Sequence, residues 1–130
     1  MFWDEACLAR AGELLGRMGL TLFHRDMGGA GLTPVVIMHG MLGSSRNWQT
    51  VGRELATDAH TLALDARNHG QSPHDDVMDY PAMVDDVITW LDAQSLSKVT
   101  LMGHSMGGKT AMLLACRHPE RVERLIVVDI

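Results

Sequence analysis

The sequence predicts an α/β fold: a mostly parallel sheet with helices on both faces. Three observations carry that prediction. Short apolar runs at 35–38, 61–65, 99–102 and 124–130 alternate with segments of helical spacing, the pattern of strand–helix–strand units with right-handed crossovers. Two of the runs, Val35-Val36-Ile37-Met38 and Leu125-Ile126-Val127-Val128, are apolar at every position, as in strands covered on both sides. Three runs end in glycine-rich or polar motifs, and in such sheets ligands sit at the carboxyl ends of the strands.

Taken in order, residues 1–20 place Leu8, Ala11, Leu15 and Met18 at helical spacing, but Gly12, Gly16 and Gly19 interrupt them. A weak helix or disordered extension is expected there, followed by a single unit over 21–130. Thr21-Leu22-Phe23-His24-Arg25 reads as a short strand and Met27-Gly28-Gly29-Ala30-Gly31 as the turn after it. The run at 35–38 leads into His39-Gly40-Met41-Leu42-Gly43-Ser44. A helix then follows, capped by Ser44 or Ser45, with Trp48, Val51 and Leu55 on one face. The run at 61–65 leads into Ala66-Arg67-Asn68-His69-Gly70-Gln71-Ser72-Pro73. Asp79 caps the next helix, with Pro81 in its first turn and Met83, Val87 and Leu91 facing the sheet. The run at 99–102 enters a glycine-rich turn. The helix over 110–117 must stop before Pro119, because the residue preceding proline disfavours α.

The 130 residues are enough for one domain with its own core. A net charge of −5 argues against nucleic acid or an anionic membrane as partner. No apolar run is long enough to span a bilayer, and the acidic Met1-Phe-Trp-Asp-Glu start suits neither a secretory signal nor a transit peptide. A cytoplasmic location is expected. Cys7 and Cys116 make neither a disulfide framework nor a metal spacing, and Cys116, in an apolar helical run, is expected to be buried. The ten methionines read as core filler. None of the seven histidines forms a recognisable metal-ligand set, and no metal or cofactor is expected.

The stretch Val99-Thr-Leu-Met-Gly-His-Ser-Met-Gly-Gly-Lys109 organises the rest. It has the strand–turn–helix context of a G-x-S-x-G nucleophile elbow. The turn is so tight that side chains at Gly103 and Gly107 would collide with its backbone. Ser105 at the apex would sit near a helix N-terminus, which favours negative charge. The same residues, Gly103-x-x-x-x-Gly108-Lys109-Thr110, also fit a phosphate-binding P-loop, and Leu125-Ile-Val-Val-Asp129 fits the Mg²⁺-holding strand of such proteins. The local pattern does not separate the two.

Together, His39-Gly40-Met41-Leu42-Gly43-Ser44, Asp65-Ala-Arg-Asn-His-Gly-Gln-Ser-Pro73 and Gly103-His-Ser-Met-Gly-Gly108 resemble the α/β-hydrolase superfamily. Within it they are most similar to small serine esterases that carry Asp-Ala-Arg-Asn-His-Gly and Gly-His-Ser-Met-Gly-Gly-Lys together. A P-loop protein has no reason to carry the first two motifs, and its phosphate loop usually follows the first strand of its domain. The resemblance implies Ser105 as nucleophile and a small-molecule ester or thioester as substrate. It also implies an oxyanion hole built from the backbone N–H of Met106 and of Met41, with Leu42 the near alternative. Both methionines would help line an acyl pocket. His39 and His104 are expected to hydrogen-bond the backbone. Asp65 and Arg67 are expected to pair and tie their loop together.

On this fold the triad order is Ser, then Asp or Glu, then His. After Ser105 the only histidine is His118, too far along the following helix to return. Asp129, at the end of the strand beside the elbow strand, is the candidate acid. The expectation is therefore the N-terminal half of such a hydrolase, inactive or weakly active by itself; the alternative is a non-catalytic remnant used for binding or assembly. The last strand, 124–130, would be an open edge available for self-association.

Overall fold

The computed structural model describes residues 4–8 and 18–129. The helix expected over 1–20 lies mostly outside the described residues, though 5–8 are helical. Strands β1 (His24–Gly28), β2 (Pro34–Met38), β3 (His60–Leu64), β4 (Val99–His104) and β5 (Val122–Val128) form one sheet in the order β1-β3-β2-β4-β5. β3, β2, β4 and β5 are parallel, and β1 joins β3 antiparallel through a bulge between Asp26 and Gly28. The helices are α1 (Gln49–Leu55), α2 (Tyr80–Ala93) and α3 (Met106–Arg117).

Alternation along the strands divides the side chains between two faces. Val36, Met38, Leu62, Leu64, Val99 and Leu101 are buried in one core with Val84, Val87, Trp90 and Leu91 of α2 and Ala111 and Leu114 of α3. The opposite face is covered by α1, where Gly52 lets the helix close onto the Met27 side chain; a Cβ there would lie 2.8 Å from Met27 Cγ. Helices thus lie on both faces, and none among the described residues is long and apolar enough to cross a membrane.

Several boundaries differ from expectation for identifiable reasons. The first strand starts at His24, because the Phe23 N–H donates to Ser72 Oγ at 2.9 Å, and that hydroxyl in turn donates to Asp65 O at 2.6 Å, although the Phe23 carbonyl still accepts Asp65 N–H at 2.9 Å. Met27 and Gly28 accordingly belong to the strand, and the turn begins after them. Ser44 is the cap, in a reciprocal capping box with Asn47, and opens a 3₁₀ turn (Ser45–Trp48) that leads into α1. On α1 it is Gly52 that faces inward, leaving Val51 exposed. α3 starts at Met106, four residues before the expected 110, because Gly107 and Gly108 are absorbed into its first turn. Cys116 is exposed, contrary to expectation: it falls opposite the inward stripe of Gly107, Thr110, Ala111 and Leu114. The methionines divide as well. Met38, Met83 and Met106 are core, whereas Met18, Met41 and Met78 are exposed.

β5 is the outer strand of the described sheet. Leu125 on the α3 side and Ile126 and Val128 on the other are all exposed.

Candidate active site

The carboxyl ends of β2, β3 and β4 bring the three motifs together. At the end of β4, one residue, Ser105, separates strand from helix, with φ 51° and ψ −111°. This left-handed conformation disfavours a residue with a Cβ, and it is held from both sides. The Ser105 N–H donates to Asp129 O at 3.0 Å, and the Ser105 carbonyl accepts from Lys109 N–H at 3.0 Å. Close approach explains the flanking glycines. A Cβ at Gly103 would overlap the Gly107 carbonyl, and one at Gly107 would overlap the Met38 and His39 carbonyls. α3 therefore packs its first turn directly onto the end of β2, next to the His39-Gly40 loop.

That geometry leaves no loop between β4 and α3 to wrap a phosphate. The Thr110 hydroxyl, which a P-loop would turn to Mg²⁺, is buried and donates to Met106 O at 3.0 Å. The nucleotide-binding arrangement is not the one formed.

The loop after β2 is built around Gly40. A Cβ there would lie 2.8 Å from His104 Nδ1, so the loop rests against the residue preceding Ser105. The Gly40 carbonyl accepts from Gly43 N–H at 3.0 Å and from His39 Nδ1–H at 2.7 Å, while His39 Nε2 accepts Ala66 N–H at 3.0 Å. These two bonds fix the imidazole as the neutral Nδ1–H tautomer. Burial holds the His39 pKa below its ordinary value, against the Gly40 carbonyl, which favours the charged ring. In a trans peptide the N–H points opposite to the carbonyl, so anchoring Gly40 O also aims the Met41 N–H the other way. Among the described residues no hydrogen bond engages the Met41 amide. The Leu42 amide, by contrast, donates to His69 Nε2 at 3.1 Å. Of the two alternatives in this loop, Met41 keeps its donor open. The Met106 N–H belongs to the first turn of α3, where helix geometry leaves amides without intrahelical partners. Met41, Leu42, Trp48, Val51 and His104 line an open cleft of about 510 Å³ at this end of the sheet. Met106 lines a different, small cavity with Met38, Met83 and Thr110, so the two methionines do not share one pocket.

The loop after β3 corrects one expected pair. Asp65 and Arg67 do not bind each other. The buried Asp65 carboxylate accepts the N–H groups of Ser45 at 2.7 Å and Gln71 at 2.9 Å. Burial acts to raise its pKa, but those hydrogen bonds outweigh it and hold the group below its ordinary value. Arg67 instead reaches Asp86 on α2, Nε to Oδ2 at 2.7 Å and Nη2 to Oδ1 at 2.8 Å. Asp86 also accepts Leu20 N–H at 2.7 Å. Nothing in the local motif marks Asp86; only its place on the inward stripe of α2, between Met83 and Trp90, could have singled it out.

His118 caps the far end of α3, about 18 Å from the elbow at 1.5 Å per residue, and lies 3.5 Å from Glu120. Among the described residues no hydrogen bond joins Ser105 to a histidine. Asp129 follows β5, with its carbonyl on the Ser105 amide and its side chain exposed. No group of His, Cys, Asp or Glu side chains among the described residues converges as a metal site.

The comparisons with known proteins agree with this architecture. The family described as alpha/beta hydrolase fold matches residues 33–130. The sn-1-specific diacylglycerol lipase ABHD11 of Xenopus laevis is 54% identical over 99 residues, covering 75% of this chain and 32% of that protein. Esterase YbfF of Escherichia coli is 45% identical over 98 residues, covering 75% of this chain and 39% of that protein. A solved structure of a marine microorganism esterase superposes with a TM-score of 0.82 at 43% identity, covering 84% of this chain and 41% of the other. The chain spans 32% and 39% of the two curated relatives' lengths. On the family match, the relatives and the superposition alike, the chain belongs to the alpha/beta hydrolase fold family.

Proposed function

We propose that this region supplies the nucleophile and the oxyanion donors of a serine ester hydrolase acting on small acyl esters or thioesters. The observation that carries the reading is the elbow: Ser105 is held at φ 51° on the tip of β4, followed at once by the Met106 amide at the helix start, and the Gly40 loop with its open Met41 amide rests against the preceding residue, His104. The Ser105 Oγ attacks the substrate carbonyl carbon and loses its proton to a general base. The former carbonyl oxygen takes the negative charge and is met by the two N–H groups. Collapse expels the alcohol or thiol, which recovers the proton, and leaves an acyl-enzyme. Water then repeats the sequence and releases the acid. Relatives named as an esterase and a lipase support an ester-type substrate.

A serine hydroxyl needs a base, and the reading requires one from outside the described residues, with Asp129 as one candidate for the acid that orients it. The same observation favours a second reading, in which this region by itself is a non-catalytic module. Burst kinetics with a p-nitrophenyl ester separate them. A polypeptide extended past Ile130 should show a stoichiometric burst that Ser105→Ala abolishes, and the 130-residue chain should be weaker by about 10⁶ in kcat, the order seen for loss of a triad base. A burst that survives Ser105→Ala would place the nucleophile elsewhere. Absence of a burst from the extended polypeptide would favour the non-catalytic module.

A further inference from the structure

The Leu42 backbone is held in a conformation that its own side chain does nothing to stabilise. Its φ is 63°, in the left-handed region where a branched residue is strained, at the third position of the turn closed by the Gly43 N–H to Gly40 O bond. The side chain is 92% exposed, so packing does not account for the conformation. The bond from Leu42 N–H to His69 Nε2, at 3.1 Å, is the tie between this turn and the loop after β3. His69 is itself rigidly placed. Its Nδ1–H donates to Arg67 O at 2.8 Å, its N–H donates to Ala66 O at 3.1 Å, and its ring lies 5.1 Å from that of His39. Arg67 is in turn locked to buried Asp86. A continuous line of contacts therefore runs from α2 to the oxyanion loop and ends on the imidazole.

We infer that His69 is a positioning residue for the reaction at Ser105: by accepting the Leu42 N–H it keeps the Met41–Leu42 turn in the conformation that leaves the Met41 N–H open. The inference rests on the serine-hydrolase reading above. His39 and His69 divide the work, since His39 anchors the peptide between Gly40 and Met41 and His69 anchors the next one. A released Leu42 would relax toward negative φ. The Met41 donor, one peptide away, would then lose its aim, and small misplacements of an aligned group are expensive in rate.

The test combines kinetics of the full-length polypeptide with amide NMR of the same protein. His69→Ala should lower kcat by about 10²-fold with KM within a factor of about two, because the donor matters most when charge develops on the oxygen. His69→Gln, whose Oε1 can accept the same N–H, should recover most of that loss. The Leu42 amide resonance should move and its hydrogen exchange accelerate in the alanine variant and return toward wild type in the glutamine variant. In the wild type, His69 Nε2 should resonate as an unprotonated nitrogen. Unchanged kcat in His69→Ala, a fall in kcat with the Leu42 amide unmoved, or a protonated Nε2 in the wild-type protein would each overturn the assignment. Should His69→Ala fail to fold, the glutamine variant and the wild-type nitrogen signals still decide it. Activity surviving Ser105→Ala would remove the hydrolase reading, whereas the Leu42 and His69 signals report the clamp without any turnover.

Discussion

Arg67 and Asp86 form a two-point ion pair, at 2.7 and 2.8 Å, with both side chains almost wholly buried beneath the motif-bearing loops. The pair joins the loop after β3 to α2, and through Leu20 N–H it also holds the segment entering the sheet. Removing one partner leaves a charge buried alone. Arg67→Met should therefore destabilise the fold by about 3–5 kcal/mol, whereas the double change Arg67→Met with Asp86→Leu should recover most of it. Urea midpoints at unchanged slope read both. A single-variant loss under about 1 kcal/mol would show that water reaches the pair.

Acid should weaken the protein in two steps. His39 is kept neutral by burial, below its ordinary value near 6.5, so the unfolded chain takes up a proton that the folded one refuses. Stability falls as pH drops through that window. Asp65 has a lowered pKa, so its contribution is present above about pH 4 and is lost below it. Asp26, lowered mainly by its hydrogen bond to His60, adds a smaller share because it is exposed. Denaturant midpoints measured from pH 7 to pH 3 should show both steps, and Asp65→Asn should shrink the lower one while enlarging the upper, because the Asp65 charge favours the protonated His39 ring. A flat profile between pH 7 and pH 5 would contradict the assignment to His39.

The Met41 donor is main-chain, so its side chain should matter little and its N–H a great deal. In the full-length polypeptide Met41→Leu should keep near-normal turnover. Met41→Pro, which deletes the N–H, should lower kcat by about 10²–10³, as for loss of one oxyanion donor. Comparable rates in the two variants would refute Met41 as donor.

In the described sheet β5 is an outer strand, with Ile126 and Val128 exposed on the face away from α3 and Leu125 exposed on the other. An unpaired apolar edge is a template for another chain, so the 130-residue chain should self-associate. Ile126→Lys, on the face away from α3, should reduce association in light scattering. Val127 is less suitable, because its Cγ1 approaches Gly108 of α3. A monodisperse wild-type chain would contradict the expectation.

The strand–helix alternation and the tight turn after β4 are legible because their causes are local. Gly103 is demanded by a collision with the backbone of its own turn, and the wholly apolar run at 35–38 is an interior strand between β3 and β4, whereas the equally apolar run at 125–128 is mostly exposed on the outer strand and Gly107 is demanded by the end of β2. What sequence could not show depends on partners far along the chain. Arg67 had a nearer carboxylate in Asp65, but two backbone amides take that group, and the guanidinium finds Asp86 across α2. The start of β1 was displaced by Ser72, 49 residues away. Cys116 is a different case, since the cause is local: it lies in an apolar run, but the phase of α3 places it outside. The strained Leu42 turn left no sequence signal, since glycine is the residue such a position would advertise.

Ser105 should become covalently acylated. The most direct measurement is peptide mapping by mass spectrometry after reaction with a fluorophosphonate, on a polypeptide extended past Ile130. One phosphonyl adduct per chain on the peptide bearing Ser105, absent from Ser105→Ala, is the predicted result. An adduct on another residue, or equal labelling of the alanine variant, would contradict it.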